Sequence, residues 1–538
     1  MKRTILILTV LIPYFTTISA QPWQADKGNG KYRNPIIMAD YSDPDVCRVG
    51  DDFYMTSSSF NCVPGLQILH SRDLVHWQIV GAALPDRVPY LDDGKQSGKG
   101  VWAPSIRYHK GRFYIFYGDP DKGIIRLSAE KPEGPWEEQL VMPATGYIDP
   151  CPLWDEDGRV WLVHALAGSR AGLKSVLLLA ELDSTASRVV SPSRIVFDGH
   201  RTQPTCEGPK LYKRGGYYYI FTPAGGVRNG WQTVLRSDRI YGPYEEKIVL
   251  QQGKTYINGP HQGAWVSTAR GEDWFIHFQD KGAYGRVVHL QPMHWEKDWP
   301  VIGSNGEPVS EWRKPDIAVK SADKDEDIQT DDGFDSHELG LQWQWMGNPQ
   351  NTWHFCDSGN GLLRLFSVSY AWTQQRHDDW TLQNWLRAST NLLMQKLPAE
   401  SFTVTTKVRY SPKKEILGEA AGIVVSGETY HYLALRNESD KIAIFADGKR
   451  AGSVKADEWV WLRASFSPEK DGCRFYLSKD GEKWSKAGDS FTLKQEKDSW
   501  IGCKAGLFCL RPFKTDKGTT YQTYNDGGWM DVDWWKVE

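Results

Sequence analysis

The chain has 538 residues, enough for two or three domains with sizeable cores, and a formal charge of −3. So balanced a charge gives no electrostatic case for a nucleic-acid partner. Its 25 Trp, 24 Tyr and 19 Phe suit β-sheet cores, and some of these rings can serve as flat platforms for sugars.

Residues 1–20 read as a secretory signal. Lys2 and Arg3 supply the positive end, Ile5 to Ile12 the apolar run, and Ser19-Ala20 a small-residue cleavage site. That run is too short to span a bilayer, and no later stretch approaches 18 apolar residues. The expectation is a secreted or periplasmic protein with no membrane span. No Cys follows the cleavage site, so lipid anchoring there is not suggested. The eight cysteines (Cys47, Cys62, Cys151, Cys206, Cys356, Cys473, Cys503 and Cys509) include no CxxC pair, which argues against zinc or thioredoxin chemistry. Export permits disulfides, but the expectation for most of these residues is a buried free thiol.

From 28 to 320 one phrase recurs five times: a turn residue, an aromatic pair, then a short apolar run. The copies are anchored at Phe53, Phe113, Val160, Tyr217 and Trp274, which lie 60, 47, 57 and 57 residues apart. A strand-rich period near 50 predicts a β-propeller. Before each aromatic strand comes a first strand opening on a small or acidic residue, usually beside Pro: Asp43-Pro44, Ala103-Pro104, Asp149-Pro150, Glu207-Gly208-Pro209 and Gly263-Ala264. After it comes a third strand, from Leu66 to His70 in the first copy and from Val287 to Leu290 in the last. Segments ending in Trp (Val75 to Trp77, Gly134 to Trp136, Met293 to Trp295) are expected to form the outer strands. Five blades of four strands follow.

Residues 321–330 are polar and acidic and read as a linker. Residues 331–538 carry short alternating strands, among them Phe402 to Val408, Ala421 to Val425, Tyr430 to Arg436, Trp459 to Phe466 and Cys473 to Leu477, separated by Gly and Asp turns. They predict a concanavalin-like β-sandwich. Neither half shows a convincing helix pattern, so the fold class is all-β.

In a propeller the first strand of each blade lines the central channel. Counting back 10 or 11 residues from each anchor gives Asp43, Ala103, Asp149, Glu207 and, in blade five, Gly263. Three carboxylates from distant parts of the chain are therefore expected at one mouth of the channel. Like charges and burial raise carboxylate pKa values and separate them. One protonated acid beside one ionised base is the requirement for glycoside hydrolysis. The plain alternative is that each acid bonds nearby backbone or an arginine.

These motifs, with Asn34-Pro35-Ile36, Tyr41-Ser42-Asp43-Pro44-Asp45-Val46, Gly259-Pro260-His261-Gln262-Gly263 and Gly285-Arg286-Val287-Val288-His289-Leu290-Gln291-Pro292, resemble glycoside hydrolase family 43. The resemblance covers the whole propeller in order and extends into the sandwich. It implies an exo-acting, inverting β-xylosidase or α-L-arabinofuranosidase. On it Asp43 is the general base, Glu207 the general acid, and Asp149 orients Glu207 and tunes its pKa. Asp45, two residues on, is the rival base. Arg286 matches the position that hydrogen-bonds the bound sugar, and Phe60 and Trp102 are expected as apolar walls, with ordinary core packing as their alternative.

No cofactor is expected for the chemistry. In similar propellers the histidine matching His261 meets a Ca2+ ion through water; a hydrogen-bonded channel histidine without metal is the equal alternative. Asp335 and Asp533 resemble strand-end residues that can share a structural Ca2+, with exposed turn carboxylates as the plainer reading. Ser478 to Trp484 hints at an Asp box but reads more simply as a hairpin turn. The expected partner is a pentose-containing plant oligosaccharide or polysaccharide. The alternatives carried forward are an endo-arabinanase and a lectin-like propeller that binds sugar without cutting it.

Overall fold

The computed structural model describes residues 22–91, 97–317, 327–369, 381–438, 441–467, 472–497, 499–512, 515–516, 519–520 and 526–538. The predicted export signal, residues 1–20, and most of the predicted linker lie outside the described residues.

The five repeats form five antiparallel four-stranded sheets, each with its strands in chain order. The innermost strands are Asp45–Val49, Trp102–His109, Tyr147–Trp154, Lys210–Arg214 and His261–Ser267. Each turns into its second strand through a left-handed glycine, Gly50, Gly111, Gly158, Gly216 or Gly271, with φ between 65° and 86°. A side chain there would strain the turn.

The anchors that betray the period are buried for a reason. Phe53, Phe113, Val160 and Trp274 are at most 3% exposed, and they fill the layers between blades. Phe113, for example, packs with Ile106 and Ile115 of its own blade and with Ile68 and Ala83 of blade one. Burying one such side chain fully is worth about 1.5–3 kcal/mol. Tyr217 is the exception and is half-buried.

The outer strands differ from expectation. Val75 to Trp77 and Gly134 to Trp136 are turns that lead into the outer strands Gln78–Leu84 and Glu137–Pro143. Each indole N–H donates back to its own turn, Trp77 to Leu74 O and Trp136 to Pro132 O, so the tryptophan closes the turn. Met293 to Trp295 belongs to the long third strand of blade five, Arg286–Glu296, and the outer strand there is Trp299–Ile302.

The N-terminal segment closes the ring. Lys31–Arg33 pairs with Glu311–Arg313, and the Asn34 side chain bonds Leu290 N, Leu290 O and Val309 O. Beyond residue 331 two large sheets face each other across one apolar core. Phe402–Ser411, Ala420–Val425, His431–Asn437, Trp459–Phe466 and Cys473–Ser478 are strands within a residue or a few of the expected ones. Ser478 and Asp480 form a hairpin turn, Asp480 accepting from Glu482 N and Lys483 N. Among the described residues the helices are short, Gly168–Ala171 and Leu382–Ala388, with a 3-10 turn at Gly282–Tyr284. No described helix is long and apolar enough to cross a membrane. All eight cysteines are buried and free.

Candidate active site

The innermost strands share one backbone device. In four blades a left-handed residue precedes a proline: Asp43-Pro44 (φ 55°), Ala103-Pro104 (32°), Asp149-Pro150 (57°) and Gly208-Pro209 (56°). In the fifth it is Gln262 (41°). Non-glycine residues held there cost roughly 1–3 kcal/mol each, and such strain collects at functional sites.

This device corrects the register drawn from anchor spacing. The counterparts of Asp43 and Asp149 are Gly208 and Gln262, so Glu207 stands one residue upstream and Gly263 one downstream. The proline marks the turn; the acid does not. The difference is visible in exposure. Asp43 and Asp149 are each 4% exposed, whereas the Glu207 side chain keeps 37%.

Asp43 is gripped on both oxygens. Ser42 Oγ and Ser58 Oγ donate to Oδ2 at 2.8 and 2.5 Å, and Arg286 Nη1 donates to Oδ1 at 3.1 Å. The same Nη1 donates to Ser42 Oγ at 2.8 Å, and the guanidinium lies 4.7 Å over the Phe278 ring. Ser58 is itself fixed, accepting from Ala103 N at 2.7 Å. Asp149 Oδ2 accepts Gly208 N–H at 2.8 Å. That bond ties blade three to the residue that follows Glu207.

Glu207 is held by its backbone. Thr222 Oγ1 donates to Glu207 O at 2.6 Å, and Glu207 N reaches Pro223 O at 3.3 Å. Burial pushes its carboxyl up from 4.5 to about 7, the Asp43 charge adds to the rise, and Arg286 and Lys174 oppose it. The open third of the side chain lets pocket water screen part of this. Burial, then the Glu207 charge, raise Asp149 well above the carboxylate range. The two acids titrate as a pair, and the pair retains a proton near neutral pH.

Asp45 is committed elsewhere. Its Oδ2 takes Arg107 Nη1 at 2.6 Å and Ile106 N at 2.7 Å, with Lys210 Nζ at 4.0 Å, and it is fully buried. It is the anchor of an ion cluster in the channel wall.

Of the two expected walls, Phe60 is buried yet joins none of the hydrophobic core clusters. Its backbone exchanges bonds with Val101, one residue before Trp102. Trp102 is half-buried and donates to Gly98 O. Against its face, edge-on at 5.1 Å, stands Trp500 of the sandwich. Nothing local in the sequence points to Trp500; its partner is some 400 residues away. Ser42 and Ser58 also escaped sequence reasoning, although Ser57-Ser58-Ser59 beside Phe60 was a legible polar run.

His261 is fully buried with Nε2 at 3.6 Å from Glu207 Oε1, too long for a hydrogen bond. Neither ring nitrogen has a hydrogen-bond partner, and burial, then Arg286, push its pKa down to about 3. The imidazole is therefore neutral. Asp335 is exposed, and Asp533 is bonded by Lys407 Nζ at 2.6 Å. Among the described residues no group of three or more His, Cys, Asp or Glu side chains could hold a metal ion.

The family model for glycosyl hydrolases family 43 matches residues 32–300. The chain belongs to glycoside hydrolase family 43. It is accordingly a glycosidase. A second model, the β-xylosidase C-terminal concanavalin A-like domain, matches residues 331–538. A protein of Xylanibacter ruminicola is 38% identical over 513 residues, covering 93% of this chain and 90% of the relative. A non-reducing end α-L-arabinofuranosidase of Bacteroides ovatus is 30% identical over 444 residues, 79% of this chain and 78% of the relative. The solved xylan β-1,4-xylosidase from Bacillus halodurans is 26% identical, with a TM-score of 0.78 over 94% of this chain and 99% of that one. Family 43 membership thus rests on both domains, in the order in which the structure presents them.

Proposed function

We propose that this family 43 enzyme removes a terminal β-D-xylosyl or α-L-arabinofuranosyl residue from plant glycan, with inversion. One observation carries the reading: Asp43 and Glu207 reach one pocket in opposite environments. Asp43 accepts protons from two hydroxyls and a guanidinium, the setting of an anionic base. The Glu207 carboxyl is raised to about 7, the setting of an acid.

In the step itself Asp43 takes a proton from water as the water oxygen bonds to the anomeric carbon. The glycosidic C–O bond breaks, and Glu207 delivers its proton to the leaving oxygen. Asp149 holds the Glu207 segment through Gly208 N–H and, as a like charge, keeps that proton bound. Arg286 faces the sugar and Asp43 together, while Phe60 and Trp102 supply apolar surface. Trp500, brought over the pocket rim by the sandwich, favours a blind pocket and terminal cleavage over the open cleft of an endo-arabinanase. An intact acid pair favours catalysis over simple sugar binding.

The neutral, partnerless His261 fits a water-held Ca2+ ion, which would add positive charge near the acids when bound; imidazole is too soft a ligand to hold it directly. Asp335 and Asp533 carry no comparable sign of a second ion. Residues 1–20 support export. Parallel assays with 4-nitrophenyl β-D-xylopyranoside and α-L-arabinofuranoside test the proposal. Release of nitrophenol from at least one supports it, and inertness toward both, with linear arabinan cut to oligomers, would replace it by the endo reading.

A further inference from the structure

Arg286 follows a tight turn, residues 281–285, and the sandwich grips this turn from outside. Lys281 Nζ pairs with Glu400 Oε1 at 2.5 Å. Tyr284 OH donates to Glu400 O at 3.1 Å, and Cys503 N donates to Ala283 O at 2.7 Å. Gly502 packs directly on Gly285: a methyl group on Gly502 would meet the Gly285 Cα at 2.8 Å.

At the centre of this grip lies Asp40, 5% exposed. Its Oδ1 accepts the backbone N–H of Arg286 at 3.0 Å, and its Oδ2 accepts the backbone N–H of Gly502 at 2.8 Å. A methyl on Gly285 would meet Asp40 Cγ at 2.4 Å, so the carboxylate fills the space that glycine leaves. The next residue completes the clasp, Tyr41 N donating to Arg286 O at 3.1 Å. Asp40 therefore joins three things: the sandwich loop, the backbone of Arg286, and a segment that reaches Asp43 three residues later. No step assigned so far uses it.

We propose that Asp40 is a positioning residue. It locks the sandwich loop to the backbone of Arg286 and thereby fixes the guanidinium on Asp43. The sandwich is on this view a part of the active site's framework. The inference rests on the roles given above to Asp43 and Arg286.

Asp40→Asn tests it with almost no change of size. A carboxylate serves two N–H donors with two oxygens; an amide has one acceptor oxygen, so one N–H must face an NH2 group. On whichever nitrophenyl pentoside the parent enzyme cleaves, kcat/KM should fall roughly 10- to 100-fold. Repeated in an Arg286→Ala background, the same change should cost less than about threefold, because a residue acting through Arg286 has nothing left to position. Unaltered kcat/KM in Asp40→Asn, or an equal loss with and without Arg286, overturns the proposal. If Asp40→Asn does not fold, Gly502→Ala, which forces the loop off Gly285, enters the same cycle with the same expected pattern. An inactive parent enzyme would strike the functional reading, whereas an active parent with an indifferent Asp40→Asn strikes this inference alone.

Discussion

Replacing Glu207 with Gln keeps the shape of the pocket and removes its proton donor. The structure sets the size of the effect. The Thr222 bond goes to the backbone of Glu207 and survives the change, so the loss is one of chemistry rather than of position. A positioned general acid contributes roughly 10²–10⁴-fold, about 3–5 kcal/mol of barrier. That contribution matters only where the leaving oxygen needs a proton. On xylobiose or an arabinosyl oligosaccharide, kcat should fall by roughly that factor. On a dinitrophenyl glycoside, whose phenolate leaves unaided, the loss should be less than about tenfold. The pH profile gives a second readout. Glu207 acts while protonated, and its carboxyl is raised to about 7, so parent activity should decline as pH rises through about 7. With the activated substrate that decline should vanish in Glu207→Gln. Stability follows the same proton. The folded chain binds it more tightly than the unfolded chain, so stability is full below 4.5 and falls as pH rises from there to about 7. Glu207→Gln should therefore melt no lower than the parent at pH 8. Equal losses on both substrates, or a pH decline that persists in the variant, would refute the assignment of Glu207.

Asp43→Asn should lower kcat by roughly 10²–10⁴-fold on every substrate, good leaving group or poor, and azide should restore turnover by forming the inverted glycosyl azide. Its folded state should lose only about 1–2 kcal/mol in urea unfolding, since the amide oxygen still accepts from the serine hydroxyls. Asp149→Asn removes a like charge beside Glu207, so the alkaline limb of kcat/KM should move to lower pH; a stationary limb would argue that the two carboxyls are uncoupled. Trp500→Ala should raise KM by about 2- to 10-fold with a smaller change in kcat, as expected for loss of one edge-on aromatic wall; equal effects on kcat and KM would place Trp500 outside the binding surface.

The sequence discloses its propeller because burial between blades demands a large apolar residue once per blade, and Phe53, Phe113, Val160 and Trp274 answer it at a near-constant interval. The convergence of Asp43, Asp149 and Glu207 is legible for the same reason: each lies a fixed distance from such an anchor. Exact register is less legible. Spacing to an anchor absorbs a bulge or a longer hairpin, and only the proline after Asp43, Ala103, Asp149 and Gly208 reveals that Glu207 sits one residue off. Trp77 and Trp136 read as strands because an aromatic suits either setting, and their turn role depends on an indole hydrogen bond. Asp40, Gly502 and Trp500 carry no local signal. Their meaning arises only where the sandwich meets the propeller, and contacts across some 460 residues of sequence are invisible to any window.

The division of labour between Asp43 and Glu207 makes a direct claim about stereochemistry, since a water held by one carboxylate opposite the other must invert the sugar. Proton NMR of the first turnovers on an aryl β-xyloside reads it without mutation. The α anomer of xylose should appear first and mutarotate to the β form. First appearance of the β anomer would mean a covalent intermediate and would contradict the account.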